Sequence, residues 1–155
     1  MTTLTIANEQ TVTGSRSSNK TVWAGRVLGG LAVLFLAFDC VIKLLRLPPA
    51  VQGTGQLGFP TSAVFGIGLV QAICLALYLV PRTAVLGAVL MTGYLGGAVA
   101  THVRLGNPLF SHVLFPVYVA VLLWGALYLL DARVRAAVGP RPDSDQRPAV
   151  RRAGG

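Results

Sequence analysis

Residues 27–45 read VLGGLAVLFLAFDCVIKLL, and only Asp39 and Lys43 in this stretch are charged. Trp23 and Arg26 precede it and Pro48-Pro49 follows. A helix rising 1.5 Å per residue needs about 20 predominantly apolar residues to cross the hydrocarbon core of a bilayer. Positions 23–47 supply that length, and the proline pair ends the helix because proline cannot continue the hydrogen-bond ladder. The same pattern recurs at 62–80, closed by Pro81-Arg82, and at 83–103, closed by Arg104 and Gly106-Asn107-Pro108. A last run, 109–130, is closed by Asp131, Arg133 and Arg135, and Pro116 inside it is expected to kink the helix. The expectation is an all-α integral membrane protein, a four-transmembrane-helix bundle. The period-2 alternation of a membrane barrel is absent.

Composition agrees. Of 155 residues 54% are hydrophobic and 12% charged, against about 25% charged in soluble domains, and the mean hydropathy is +0.66. Positions 1–22 are polar and rich in Thr and Ser, and are expected to form a disordered cytoplasmic N-terminal arm without a cleavable signal peptide. Positions 23–138 form the membrane domain, and 139–155 a basic, disordered cytoplasmic tail. The short second and third connections make the last three spans antiparallel neighbours. The first connection, 47–61, carries Gly53, Gly55, Gly58 and Pro60; it is expected on the outer membrane surface or dipping slightly into it.

The net charge is +8, with Arg133, Arg135, Arg141, Arg147, Arg151 and Arg152 gathered near the C-terminus and no aromatic interleaved. That placement argues against nucleic acid and for a topology signal that also touches anionic lipid headgroups. With both termini cytoplasmic, ten of the Lys and Arg residues lie inside and three (Lys43, Arg46, Arg104) outside. This positive-inside bias places the chain as a multi-pass protein of the cell (inner) membrane.

Small residues recur at fourfold spacing: Gly93 and Gly97, then Thr92, Gly96 and Ala100, with Gly25 and Gly29 in the first span and Gly68 and Ala72 in the second. Gly93, Gly96 and Gly97 are therefore read as helix-packing positions, within the bundle or on a homo-oligomer face. Trp23 and Trp124 suit an aromatic belt or the bundle interior. Cys40 and Cys74 lie in apolar runs without a C-x-x-C pattern, and read as packing residues.

Ionisable groups at membrane depth are costly and mark candidate sites. Asp39 and Lys43, at i and i+4, share a helix face and neutralise one another. With Gln71, Tyr94, Thr101, His102 and His112 they are the candidate polar cluster, opening to the outer side as a cup for a small amphipathic ligand. The alternative is an ion pair at a helix end, with Lys43 reaching the surface. Two histidines without Cys or Glu companions do not make a metal site, and no nucleophile–base set indicates catalytic residues.

Certain stretches look familiar: FDCVIK at 38–43, LGFP at 57–60, LVPRTAVLGA at 79–88 and TGYLGGAVATHVR at 92–104, with His112 and Trp124. From Trp23 to Val138 the chain resembles the DoxX-like family of small bacterial membrane proteins. That resemblance implies a four-helix membrane bundle. Some relatives are associated with thiosulfate–quinone oxidoreductase or redox-stress complexes, so it also implies a quinone as the one cofactor to consider. Gln71, however, stands where many members carry a glutamate. The functional expectation is a membrane component without catalytic activity of its own, an accessory or small-ligand-binding protein; a quinone-linked redox subunit is the alternative.

Overall fold

The computed structural model describes residues 19–138. The expectations for positions 1–18 and for the basic tail at 139–155 lie outside the described residues. Within them the chain is helical and contains no strand. Its helices are α1 (Asn19–Leu44), α2 (Pro48–Gln56), α3 (Ala63–Leu79), α4 (Ala84–Arg104), α5 (Phe115–Leu130) and α6 (Ala132–Val138), with a short π-helical segment (Leu109–Val113) before α5. Three helical stretches are long and apolar enough to cross a membrane: Asn19–Leu44, Ala84–Arg104 and Leu109–Leu130. The fourth apolar helix, α3, has 17 residues and spans about 26 Å at the α-helical rise.

The helix ends are set by local chemistry. At the end of α1, Arg46 N–H donates to Lys43 O at 3.1 Å and Leu47 N–H to Ile42 O at 2.9 Å. The same pair of bonds closes α2 around Gly58 and α4 around Gly106. This ending needs a residue with positive φ just past the helix. Gly58 (80°) and Gly106 (65°) supply it without strain, whereas Arg46 adopts 52° as a non-glycine and lays its guanidinium over the Phe65 ring, 5.6 Å from the centroid.

Several expectations are corrected here. Helix α1 begins at Asn19, so the last four residues of the expected N-terminal arm are helical. The first connection, for which the sequence predicts no element, contains α2, with Ala50 and Thr54 buried. Pro116 does not kink a continuous helix. The run divides at Leu114, and Pro116 stands in the first turn of α5, where a missing N–H leaves no intrahelical bond unmade.

Four helices form the bundle. Helix α1 packs against α3 and α5, and α4 packs against the same two, so α1 and α4 face one another across the middle. Ala32, Leu36, Cys74, Leu75, Met91, Leu95, Val119 and Leu123 form one core from all four. A second, smaller cluster joins Ala84 and Ala88 to Leu127 and Val134 of α6. Close approach uses glycine at the α1 and α3 positions expected from spacing. A Cβ on Gly25 would sit 3.0 Å from Leu129, on Gly29 3.1 Å from Ala126, and on Gly68 2.8 Å from Lys43 Cβ. The tightest approach is at Gly87, where a Cβ would fall 2.6 Å from the Leu77 carbonyl carbon. Outward, large apolar side chains stand bare on every one of these helices, among them Leu34 (69% exposed), Ile73 (52%), Leu86 (52%) and Val121 (63%).

Candidate functional site

Asp39 and Lys43 lie one turn apart near the C-terminal end of α1, and their side chains form an ion pair. Gly68 brings α3 against the backbone of α1 at Lys43 and Leu44, which carries Gln71 beneath the pair. From α4, Tyr94 reaches in from the other side. Lys43 Nζ donates to Asp39 Oδ2, to Gln71 Oε1 at 3.1 Å and to the Tyr94 hydroxyl at 3.1 Å, which accounts for all three ammonium protons. Gln71 Nε2 donates to Leu36 O at 3.1 Å and to Asp39 Oδ2 at 2.9 Å. Tyr94 O–H donates to Gln71 Oε1 at 2.9 Å, and its ring lies 5.8 Å below the Lys43 ammonium.

Gln71 is fully buried and every hydrogen-bonding position of its amide is occupied. Two acceptors face its nitrogen and two donors face its oxygen, so the network itself fixes the amide orientation. A buried polar network that is wholly satisfied rigidifies its surroundings, while one missing member exposes the others to the cost of unpaired polar groups. The one oxygen left over is Asp39 Oδ1, which accepts no hydrogen bond among the described residues.

Beside this network, between α1 and α4, lies a cavity of about 580 Å³. Its polar residues include Asp39, Lys43 and Tyr94; its apolar walls include Phe35, Leu95, Phe115 and Val119; Thr54 of α2 and Leu57, just past that helix, line it too. The volume is within the range of small-molecule sites, about 300–1,000 Å³. Thr101 and His102 also line it. Thr101 donates to Gly97 O at 2.9 Å within its own helix. Asn107, held by its N–H bond to His102 O, places its amide nitrogen 2.8 Å from His102 Nδ1.

The structure thus joins Asp39, Lys43, Gln71 and Tyr94 in one network and sets Thr101 and His102 on the same cavity. It does not bring His112 there. That side chain is exposed, with its ring centroid 5.7 Å from that of His102 and its Nδ1 paired to Ser111 Oγ at 2.7 Å. Among the described residues no three His, Cys, Asp or Glu side chains come together as metal ligands. The helix-packing reading of Gly93, Gly96 and Gly97 is corrected within the chain: a Cβ on any of them would meet nothing within 4 Å. Gly93 and Gly97 form part of the cavity wall instead, and fourfold glycine spacing does not distinguish a contact from a void.

Sequence reasoning missed Thr54. Its only signal was the i, i+4 spacing of Ala50 and Thr54 in a stretch otherwise rich in glycine and proline. It also missed the bond from Trp124 Nε1 to Thr92 Oγ1 at 2.9 Å, which ties α5 to α4.

Neither the curated proteins nor the solved structures include a significant match to this chain. A model of the DoxX-like family matches residues 27–126. That stretch takes in the polar network, the cavity and most of α1 through α5, and on it the chain belongs to the DoxX-like family.

Proposed function

We propose that this chain is a cell-membrane protein crossing the bilayer four times, with both termini cytoplasmic, that binds a small amphipathic molecule in the cavity between α1 and α4. Three observations support the membrane part: the exposed apolar side chains on every bundle helix, the three long apolar helices and the family. In water such a surface would far exceed the patches that monomers expose. Helix α3, shorter than the hydrocarbon core of about 30 Å, completes the crossing through local thinning or its flanking residues. The distribution of Lys and Arg supports the orientation, and in that orientation the cavity lies in the outer half of the bundle.

The observation that carries the binding reading is the cavity itself: apolar walls with a polar network at one end. We assign no catalytic step to the described residues around the cavity. Binding serves an accessory role, delivering or sensing the ligand for a membrane partner or a second copy of the chain.

A quinone-linked redox subunit is the second reading. The cavity has the size for a quinone ring, but a quinone oxygen needs hydrogen-bond donors. Those of Lys43 and Tyr94 are engaged within the network, so a quinone oxygen would have to rely on Thr54 or His102 on the cavity wall. Purification in mild detergent, organic extraction and mass spectrometry of the extract test both. A small non-quinone amphiphile recovered with the wild type and lost from Gly93→Leu supports the first reading. A stoichiometric quinone lost from Lys43→Met replaces it with the second.

A further inference from the structure

Which chemical class the cavity accepts follows from the polar atoms that the protein leaves unengaged. Lys43 has no free proton, Gln71 has no free position, and the Tyr94 hydroxyl both donates and accepts. The polar atom left over at this end is Asp39 Oδ1, an acceptor on a carboxylate that already neutralises Lys43, and Asp39 lines the cavity. Thr54, which lines the same cavity, is 6% exposed. Its hydroxyl makes no hydrogen bond within the described residues, yet it is not sealed from access, so its opening is to the cavity that it lines.

We infer that the molecule held here is a neutral amphiphile whose polar end donates a hydrogen bond, an alcohol or phenol on an apolar body, received by Asp39 Oδ1 and flanked by the Thr54 hydroxyl. The inference rests on the cavity reading proposed above. An anionic head, whether carboxylate or phosphate, would bring like charge against Asp39 Oδ1 in a low-dielectric site. A cationic head loses its hydration on entry and finds the Asp39 carboxylate already neutralised by Lys43. A neutral hydroxyl avoids both costs and supplies the proton that the carboxylate oxygen lacks. At roughly 30 Å³ per liquid water molecule taken as one heavy atom, the cavity of 580 Å³ accommodates about 20 non-hydrogen atoms.

The test uses the full chain in detergent micelles and reads thermal unfolding against added probe. The probes are para-nonylphenol, its methyl ether para-nonylanisole, dodecanoate and dodecylammonium. The phenol and the ether differ by the donor and partition similarly into micelles. A hydrogen bond to a charged acceptor predicts an apparent affinity about tenfold or more tighter for the phenol than for the ether, with both ionic probes weaker than the phenol. Gly93→Leu, which fills the cavity where a Cβ meets nothing, abolishes the shift from the phenol. Asp39→Asn and Thr54→Val narrow the gap between phenol and ether; Thr54→Val does so with the ion pair intact. Equal shifts from phenol and ether, both lost in Gly93→Leu, overturn the donor inference and leave the cavity reading standing. Dodecanoate or dodecylammonium as the tightest probe overturns it also, as does a gap undiminished in both polar variants. Shifts no different between wild type and Gly93→Leu for every probe overturn the cavity reading and the inference together.

Discussion

Replacing Gln71 by leucine tests the polar network without opening a cavity, because the two side chains have nearly the same volume. The substitution removes the acceptor of one Lys43 proton and of the Tyr94 hydroxyl, and the donor of one bond to Asp39. At about 1–3 kcal/mol for each buried polar group left unpaired, with partial relief from reorganisation, the expected cost is about 3 kcal/mol. Tyr94→Phe alone removes one donor and one acceptor, while Gln71 keeps its bond from Lys43 and Lys43 keeps two acceptors. Its expected cost is about 1 kcal/mol. In the Gln71→Leu background the Tyr94 hydroxyl has lost its acceptor but still receives a proton from Lys43, so deleting it should cost less than in the wild type without becoming free. The two substitutions are then non-additive by somewhat less than the full cost of Tyr94→Phe, on the order of 0.5–1 kcal/mol. Comparable pairs inside membrane bundles average about 0.6 and reach about 1.7 kcal/mol. Unfolding in mixed micelles, titrated with denaturing detergent and followed by tryptophan fluorescence, measures all four corners of the cycle. Additivity within about 0.3 kcal/mol, the range for independent sites, would show that Gln71 and Tyr94 do not share a network.

Other expectations concern packing, topology and pH. Gly87→Ala should destabilise by about 1–3 kcal/mol through overpacking against the Leu77–Tyr78 backbone, whereas Gly96→Ala, with open space around it, should be neutral or stabilising by up to about 1 kcal/mol from helix propensity; the same detergent titration compares them. Single cysteines at Gln56 and Ser111 should react with an impermeant thiol reagent on intact cells, and one at Arg82 only after lysis; the reverse pattern would invert the proposed orientation. The hydrogen bond from Arg133 holds the Asp131 carboxyl below its ordinary value of 3.8. A lowered folded-state value means that this stabilisation is present above 3.8 and declines as pH falls below it. Asp131→Asn should therefore flatten the acid limb of the unfolding-temperature profile.

Much of the helical layout was legible because membrane-length apolar runs, prolines and charges mark themselves without tertiary information. The reading placed helices at 62–80 and 83–103, and α3 and α4 run 63–79 and 84–104. Helix α2 was not legible: two prolines and two glycines in nine residues read as loop, and the helix persists through burial of Ala50 and Thr54 and the closing turn at Gly58. The Asp39–Lys43 pair followed from i, i+4 spacing alone. Gln71 and Tyr94 could be grouped with it from the sequence, but the bonds they make could not be read, because α3 and α4 are apolar on nearly every face. Such helices carry no strong amphipathic signal of which side turns inward. The division before α5 was hidden for a related reason, since Pro116 is compatible with a kink or a first turn, and neighbouring packing decides between them.

The stripe of Gly93 and Gly97 has a consequence for how such a chain diversifies. Cavity volume is governed by α4, where side chains can grow into empty space without disturbing another helix, while the chemistry of the polar end is governed chiefly by α1 and α3. On the binding reading proposed above, changes in ligand bulk and changes in ligand polarity are therefore separable, each reachable by single substitutions that leave the other property in place. A descendant sequence can drift toward smaller molecules one methyl at a time and keep its preference for the head group throughout.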